Sequence, residues 1–455
     1  VRTGMMAALT DAERFPLLTP ALAKTLKTYR EHPAAPRFNY ACGDRLTAEG
    51  LKRVRAFEAQ VKKRRSSPKG LPPWIEEKVD EWLKKVPFYR QRGGRAKDFE
   101  TLPAIGREDL LATPWAFVPD GRALDDLMVY ETTGTTGAPL GVMYHPEVPS
   151  MYLVLLRSAL KAAGVELKGG PGVALLLVGA QEKALTFVSG STYLDGAGYV
   201  KVNLKPSDWR RPEDRATYLS FCSPEVVTGD PVAFQELLDL KVPLRPKALV
   251  STSLALAAGL RKKLESTLHC PVLDVYSMTE CRPLAASTGG DFEIIPPDVH
   301  AEILDDRGRP LPDGRRGEVA ITGGRNDFLP LIRYRTGDHA AMVRRGGRRF
   351  LKGLEGRAPV VYLGSEGRRV PSIDIARALG PLALSHYVLH QRADGSFLFK
   401  CPNPADHRSA LRALLEKKLG SKIRLSVEKL AEEDRRGGKV IPHRSDVKNP
   451  RGPLW

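Results

Sequence analysis

The chain has 455 residues, more than the ~250–300 at which one hydrophobic core usually stops growing, so two domains or more are expected. With 42% hydrophobic, 27% charged and 7% aromatic residues it has the make-up of a soluble globular protein, not of a fibrous or disordered one. Its 71 basic and 53 acidic residues leave a formal charge of +18, which concentrates polyanions near the surface; yet the basic residues sit in short scattered groups (residues 61–69, 343–350 and 433–440) with no aromatic stacking platform, which argues against nucleic acid as the main partner.

The longest apolar run, Val173 to Ala180, falls far short of the ~20 residues of a membrane helix and predicts a buried strand. The first residues carry neither the apolar core nor the cleavage site of a secretory leader, so a cytoplasmic protein with no membrane partner is expected. Cys42, Cys222, Cys270, Cys281 and Cys401 are odd in number and form no CxxC pair, which argues against a disulfide framework and a zinc site.

From Leu51 to Arg90 the pattern is helical, with Ile75, Val79, Trp82 and Leu83 on one face and Pro87 as a stop. A short helix fits between Pro103 and Pro114, and a longer amphipathic one from a capping Ser150 to Gly164. Strand-like runs then alternate with helices as far as the run from Pro271 to Glu280, one helix being expected over Leu254–Leu268. That alternation predicts an α/β architecture with substantial parallel sheet. Beyond about residue 290 closely spaced strands and turns take over. From about residue 356 a compact α+β unit is expected, with a hairpin at Asp394-Gly395, a helix from Asp406 and a strand from Ile423.

Three stretches carry candidate chemistry. "VYETTGTTGAPLGVMY" (129–144) puts a turn rich in glycine and threonine between two strands. Backbone N–H groups and hydroxyls there can wrap a phosphate without a dedicated cation. It is not a Walker loop, since GxxxxGK[ST] is absent, and no GxSxG elbow points to a serine hydrolase. "DVYSMTECR" (274–282) ends an apolar strand with an aromatic ring that can stack on a base, a hydroxyl and a carboxylate suited to Mg²⁺. "RYRTGDHA" (333–340) ends a strand with Asp338, able to accept two hydrogen bonds from a ribose diol. Singly these read as well as a flexible hairpin, a core tyrosine, a helix cap and a turn former.

Together, and in this order, the stretches resemble the adenylate-forming superfamily of acyl-CoA synthetases, luciferases and peptide-synthetase adenylation domains, and more narrowly its phenylacetate-CoA ligase branch. The resemblance rests on "TTGTTGAP" (132–139), "YSMTE" (276–280), "GEVAITG" (317–323) and "RYRTGD" (333–338), with supporting likeness in "KVPFYR" (85–90) and residues 102–137, and it covers roughly residues 80 to 445. It implies a large N-terminal α/β domain over 1–355, with parallel-rich sheets and a β-rich subdomain, and a small C-terminal α+β lid over 356–455. It implies activation of a carboxylic acid, aryl or arylacetic, by ATP and Mg²⁺ to an acyl-adenylate with release of pyrophosphate, then transfer to coenzyme A.

By motif position the resemblance implies that Thr132, Thr133, Gly134, Thr135, Thr136 and Gly137 embrace the triphosphate, and that Ser251, Thr252 and Ser253 lie along the adenine. Tyr276 would stack on that base, Thr279 contact the α-phosphate, Glu280 bind Mg²⁺ and Asp338 grip the ribose. Arg357 would approach the nucleotide, and Lys439 in "GGKVIPHRSD" (437–446) would be the catalytic lysine. Two departures stand out. Ala138 occupies a position where many relatives have lysine, and Pro359 and Val360 replace the aspartates of the lid pivot, where proline stiffens the backbone. Transfer to a carrier protein or an amine, adenylate binding without turnover, and nucleic-acid binding stay open as alternatives. Phe187 and Tyr193 are candidates for the wall of the acid pocket, or for ordinary core.

Overall fold

The computed structural model describes residues 9–63, 70–125, 127–131, 139–356, 360–436 and 439–447. Its first strands in chain order are β1 (Met128–Glu131), β2 (Gly141–Tyr144), β3 (Val173–Gly179), β4 (Phe187–Ser191), β5 (Ala197–Asn203), β6 (Val226–Gly229) and β7 (Ala248–Ser251). β8 (Val272–Met278), β9 (Arg282–Ser287), β10 (Phe292–Ile294), β11 (Val299–Leu304), β12 (Arg316–Gly323), β13 (Leu331–Arg345) and β14 (Arg348–Glu355) follow. The chain divides into two compact units. Val1–Arg64, His145–Ser251 and Thr267–Leu273 form the first; Arg65–Tyr144, Thr252–Ser266 and Asp274–Trp455 form the second.

In the first unit β7, β6, β3 and β5 run parallel in that order, and β4 closes the edge antiparallel to β5. β3 is almost continuously apolar, as a parallel strand covered on both faces must be. The helix over Glu147–Ala162 starts three residues before the expected Ser150, which lies buried inside it. Its first turn is held from elsewhere in the unit: the Glu147 carboxylate accepts from Arg53 Nε at 2.8 Å and is also paired with His145. Burial alone would raise the Glu147 pKa, but the hydrogen bonds from His145 and Arg53 bring it down to about 2.

In the second unit β8, β9, β10, β14, β13, β12 and β11 form an antiparallel succession, which puts the end of the "YSMTE" stretch at the turn of the β8–β9 hairpin. β1 and β2 make a separate antiparallel ribbon that brackets the threonine turn. Helix Trp74–Lys85 ends at Val86, and Pro87, expected as a stop, opens the next helix, Pro87–Arg92, where its missing N–H costs nothing. The helix expected from Leu254 begins at Ala258.

The C-terminal part of this unit contains β15 (Val361–Leu363), β16 (Arg369–Pro371), β17 (Val388–Gln391), β18 (Phe397–Cys401) and β19 (Leu425–Lys429), then β20 (Arg435–Arg436), β21 (Lys439–Val440) and β22 (His443–Ser445). β17 and β18 are the expected hairpin, with Gly395 at φ 78° in its turn. Helix Pro404–Leu419 covers the sheet with Leu411, Leu415 and Leu419, one residue per turn on a single stripe. Each such leucine contributes ~1.5–3 kcal/mol by leaving water. On either side of residues 357–359, Glu355 receives Arg316 at 2.8 Å and the Ser372 hydroxyl, and that hydroxyl also accepts the Val360 N–H at 3.1 Å.

Candidate functional site

β8 and β9 are joined by a tight turn at Thr279, Glu280 and Cys281, which puts Thr279 and Glu280 at a hairpin tip beyond an apolar strand. Glu280 is only 7% exposed. Its Oε1 accepts the Tyr334 hydroxyl at 2.8 Å and lies 3.6 Å from the Arg107 guanidinium, so its charge is balanced although it is buried. Tyr276, four residues back on the same strand, donates its hydroxyl to Asp338 Oδ2 at 2.6 Å. Burial first, and then the Asp338 carboxylate, hold the Tyr276 phenol firmly protonated. Two residues from distant stretches of sequence are thereby brought into direct contact.

Asp338 is aimed by a bulge. Along β12 the partners Glu318 and Ala320 are two residues apart, while their mates on β13, His339 and Arg335, are four apart, so Thr336, Gly337 and Asp338 loop out of the ladder. Gly337 has φ 80°, a conformation glycine adopts freely. Glu318 fills the bulge, accepting the Gly337 N–H at 2.9 Å and Arg335 Nε at 2.7 Å, and the Thr336 hydroxyl donates to the Val319 carbonyl at 2.8 Å. The sequence reading passed over Glu318 as a site element; its signal was the glutamate of "GEVAITG" facing the glycine of "RYRTGD" across two paired strands.

Arg333 was also passed over. It is 1% exposed with φ 50°. Its guanidinium holds Glu302 through two bonds of 3.0 and 3.1 Å and donates to the carbonyls of Glu100, Leu102 and Gly308 at 2.7, 2.6 and 2.9 Å. All five guanidinium donors of the fork are used. Arg333 therefore ties the 100–102 segment to the strand that carries Asp338, a structural task within the site's frame.

The other sequence candidates fall as follows. Thr132 to Gly137 and Arg357 lie outside the described residues, though the strands on both sides of the threonine turn are described. Ser251 ends β7 in the first unit, fully buried, whereas Thr252 and Ser253 belong to the second, the latter exposed at φ 71°. Lys439 pairs with Arg436 through the backbone of β20 and β21. Phe187 stacks on Tyr199 with ring centroids 6.1 Å apart, and Tyr193 is fully buried. Among the described residues no three acidic, histidine or cysteine side chains come together as a metal cage, and no helix is long and apolar enough to cross a membrane.

No family model matches the chain. It is 24% identical over 288 residues to a phenylacetate-coenzyme A ligase of Pseudomonas putida, a match covering 56% of this chain and 61% of that one. It is 26% identical over 282 residues to a phenylacetate-coenzyme A ligase of Thermus thermophilus, with the same shares. The chain thus spans under two thirds of the length of these curated relatives. Among solved structures, 2-hydroxyisobutyryl-CoA ligase in the postadenylation state in complex with R3-HIB-AMP matches with a TM-score of 0.58 and 17% identity, over 87% of this chain and 90% of that one. An open conformation of the same ligase, in complex with 2-HIB-AMP and CoA, matches with a TM-score of 0.50 and 18% identity over 81% and 89%. The structural likeness carries the mixed α/β fold with its large sheet and smaller C-terminal α+β part, and the sequence likeness falls on the branch that the motifs indicate. The chain is thus similar in sequence to two phenylacetate-coenzyme A ligases and shares the fold of 2-hydroxyisobutyryl-CoA ligase.

Proposed function

We propose that the protein is an AMP-forming acid–thiol ligase. A carboxylate oxygen of the acid attacks the α-phosphorus of ATP, the bond from that phosphorus to the bridging oxygen breaks, and pyrophosphate leaves. The thiol of coenzyme A then attacks the acyl carbon, the carbon–oxygen bond of the mixed anhydride breaks, AMP departs, and the thiol proton passes to solvent. The observation that carries this reading is the Tyr276–Asp338 hydrogen bond beside the Glu280 turn, which joins the base-stacking candidate on β8 to the ribose-binding candidate on β13 within one unit.

In this reading the threonine turn, Thr132 to Gly137, wraps the triphosphate. Asp338 accepts from the ribose hydroxyls, Tyr276 lies against the base next to Thr252 and Ser253, and Thr279 reaches the α-phosphate. Glu280 offers a single buried carboxylate. That donor set fits Mg²⁺, which is held by one or two carboxylates together with nucleotide phosphates more often than by an all-protein cage. The ion supplies neutralisation of phosphate charge. Lys439 and Arg357, from the C-terminal part, would add positive charge where the attack builds up negative charge. Residues 356–455 would act as the lid that excludes water from the anhydride.

The relatives' names favour an aryl or arylacetic acid, and a cytoplasmic site of action goes with a nucleotide-dependent ligase. The test is a panel of carboxylic acids assayed for ATP-dependent pyrophosphate release with and without coenzyme A. Release together with acyl-CoA formation supports the proposal, and release without it redirects the acyl group to a carrier protein or an amine. Silence across the panel with tight AMP binding overturns turnover altogether.

A further inference from the structure

Arg282 opens β9 two residues after Glu280, and its backbone is left-handed, at φ 65°. A non-glycine residue persists in that conformation only where its surroundings over-determine it. Its surroundings include two tyrosines. The guanidinium carbon lies 4.5 Å from the ring centre of Tyr130 and 4.7 Å from that of Tyr144, and the two rings meet edge to face at 5.2 Å. Both rings belong to the ribbon that brackets the threonine turn. Met128 pairs with Tyr144 and Tyr130 with Val142, so the rings stand on one face of the ribbon, offset diagonally by two pairs. Tyr144 is fully buried and Arg282 half-buried, so the cation meets both rings largely out of water, where such contacts are strongest.

The same two hairpins are joined a second time. Arg325 Nη1 donates to the Cys281 carbonyl at 2.7 Å at the tip of one, and Asn326 Nδ2 donates to the Met143 carbonyl at 2.7 Å on the other. Both side chains are buried, and Arg325 is itself held by Asp298 at 2.8 Å. The backbone loop after β12 thus braces both hairpins through neighbouring residues, while Arg282 locks their side-chain faces together.

We infer that Arg282 is a positioning residue for the nucleotide. By seating its guanidinium on Tyr130 and Tyr144 it fixes the ribbon of β1 and β2 against the turn that carries Thr279 and Glu280, and so keeps that turn in place for the triphosphate. The inference rests on the ligase reading above. Its physical basis is that pre-organised binding groups spare the ligand the free energy of ordering them, and two strand pairs stay pre-organised only through an explicit tie.

The test compares Arg282→Met, which keeps the length and loses the cation, with Arg282→Lys, which restores it, and with Tyr130→Leu. Each variant is assayed for pyrophosphate exchange, for amide exchange over 128–131 and 141–144, and for melting temperature. Arg282→Met and Tyr130→Leu raise the KM for MgATP by ~10-fold, change kcat by less than about threefold, and speed amide exchange in the ribbon, while Arg282→Lys recovers part of the KM. An unchanged KM for MgATP in an active enzyme, or unaltered amide exchange in the ribbon, overturns the inference. A wild-type protein that exchanges pyrophosphate with no acid brings down the ligase reading first, and the amide-exchange comparison then decides by itself whether Arg282 ties the two hairpins.

Discussion

Arg333→Lys keeps the charge of the most fully committed side chain in the frame of the site and removes its geometry. The guanidinium makes five hydrogen bonds, two to Glu302 and three to the carbonyls of Glu100, Leu102 and Gly308. A lysine ammonium has three donors on a single atom and cannot span partners on opposite sides of the fork. At least two of the five bonds are lost, and each buried acceptor left without a donor costs ~1–3 kcal/mol. Glu302, whose pKa burial raises despite Arg333, loses its bidentate partner. The sum is a loss of about 3 kcal/mol, within the range for breaking a buried ion pair. Urea unfolding at neutral pH, followed by a probe in the second unit, should show this loss with little change in slope. Arg333→Lys combined with Glu302→Gln should cost clearly less than the two single changes added together. A single-variant loss below about 1 kcal/mol, or strict additivity, would refute the idea that this arginine is the tie between the 100–102 segment and the Asp338 strand.

Asp338→Asn should raise the KM for ATP by roughly 10–100-fold, the range of one hydrogen bond to a charged group, and the variant should no longer distinguish ATP from its 2′,3′-dideoxy analogue; if it still discriminates, Asp338 does not hold the ribose. Lys439→Ala should lower the rate of adenylate formation by ~100-fold or more while MgATP binding, followed by calorimetry, stays within about threefold; full activity would remove Lys439 from the mechanism. Glu147, held near 2 in the folded chain against an ordinary 4.5, contributes stability that is complete above the ordinary value and is lost as pH falls from there toward 2. Acid titration should therefore strip on the order of 2–3 kcal/mol from the first unit of the wild type and much less from Glu147→Gln, with equal acid limbs for the two proteins counting against the Arg53–Glu147–His145 cluster.

The sequence by itself determined the class of the fold and the identity of most candidate residues, because those signals are local. The apolar run of β3, the Asp394-Gly395 hairpin and the Leu411, Leu415 and Leu419 stripe are patterns of period and turn chemistry that neighbouring residues impose on each other. Pro87 does stop one helix, as its missing N–H requires, and also begins the next, whereas the local signal misled at Ser150, which could cap a helix that Glu147 in fact begins. Only the tertiary structure decided how the candidates are aimed. The bulge that turns Asp338 toward Tyr276 exists because Glu318 of another strand fills it. The buried tie made by Arg333 needs carbonyls more than 200 positions away, and Arg282 acquires its cage from tyrosines that precede it by well over a hundred residues. Spacing along a chain says which groups are present. Strand register and the need to satisfy every buried charge say where those groups point.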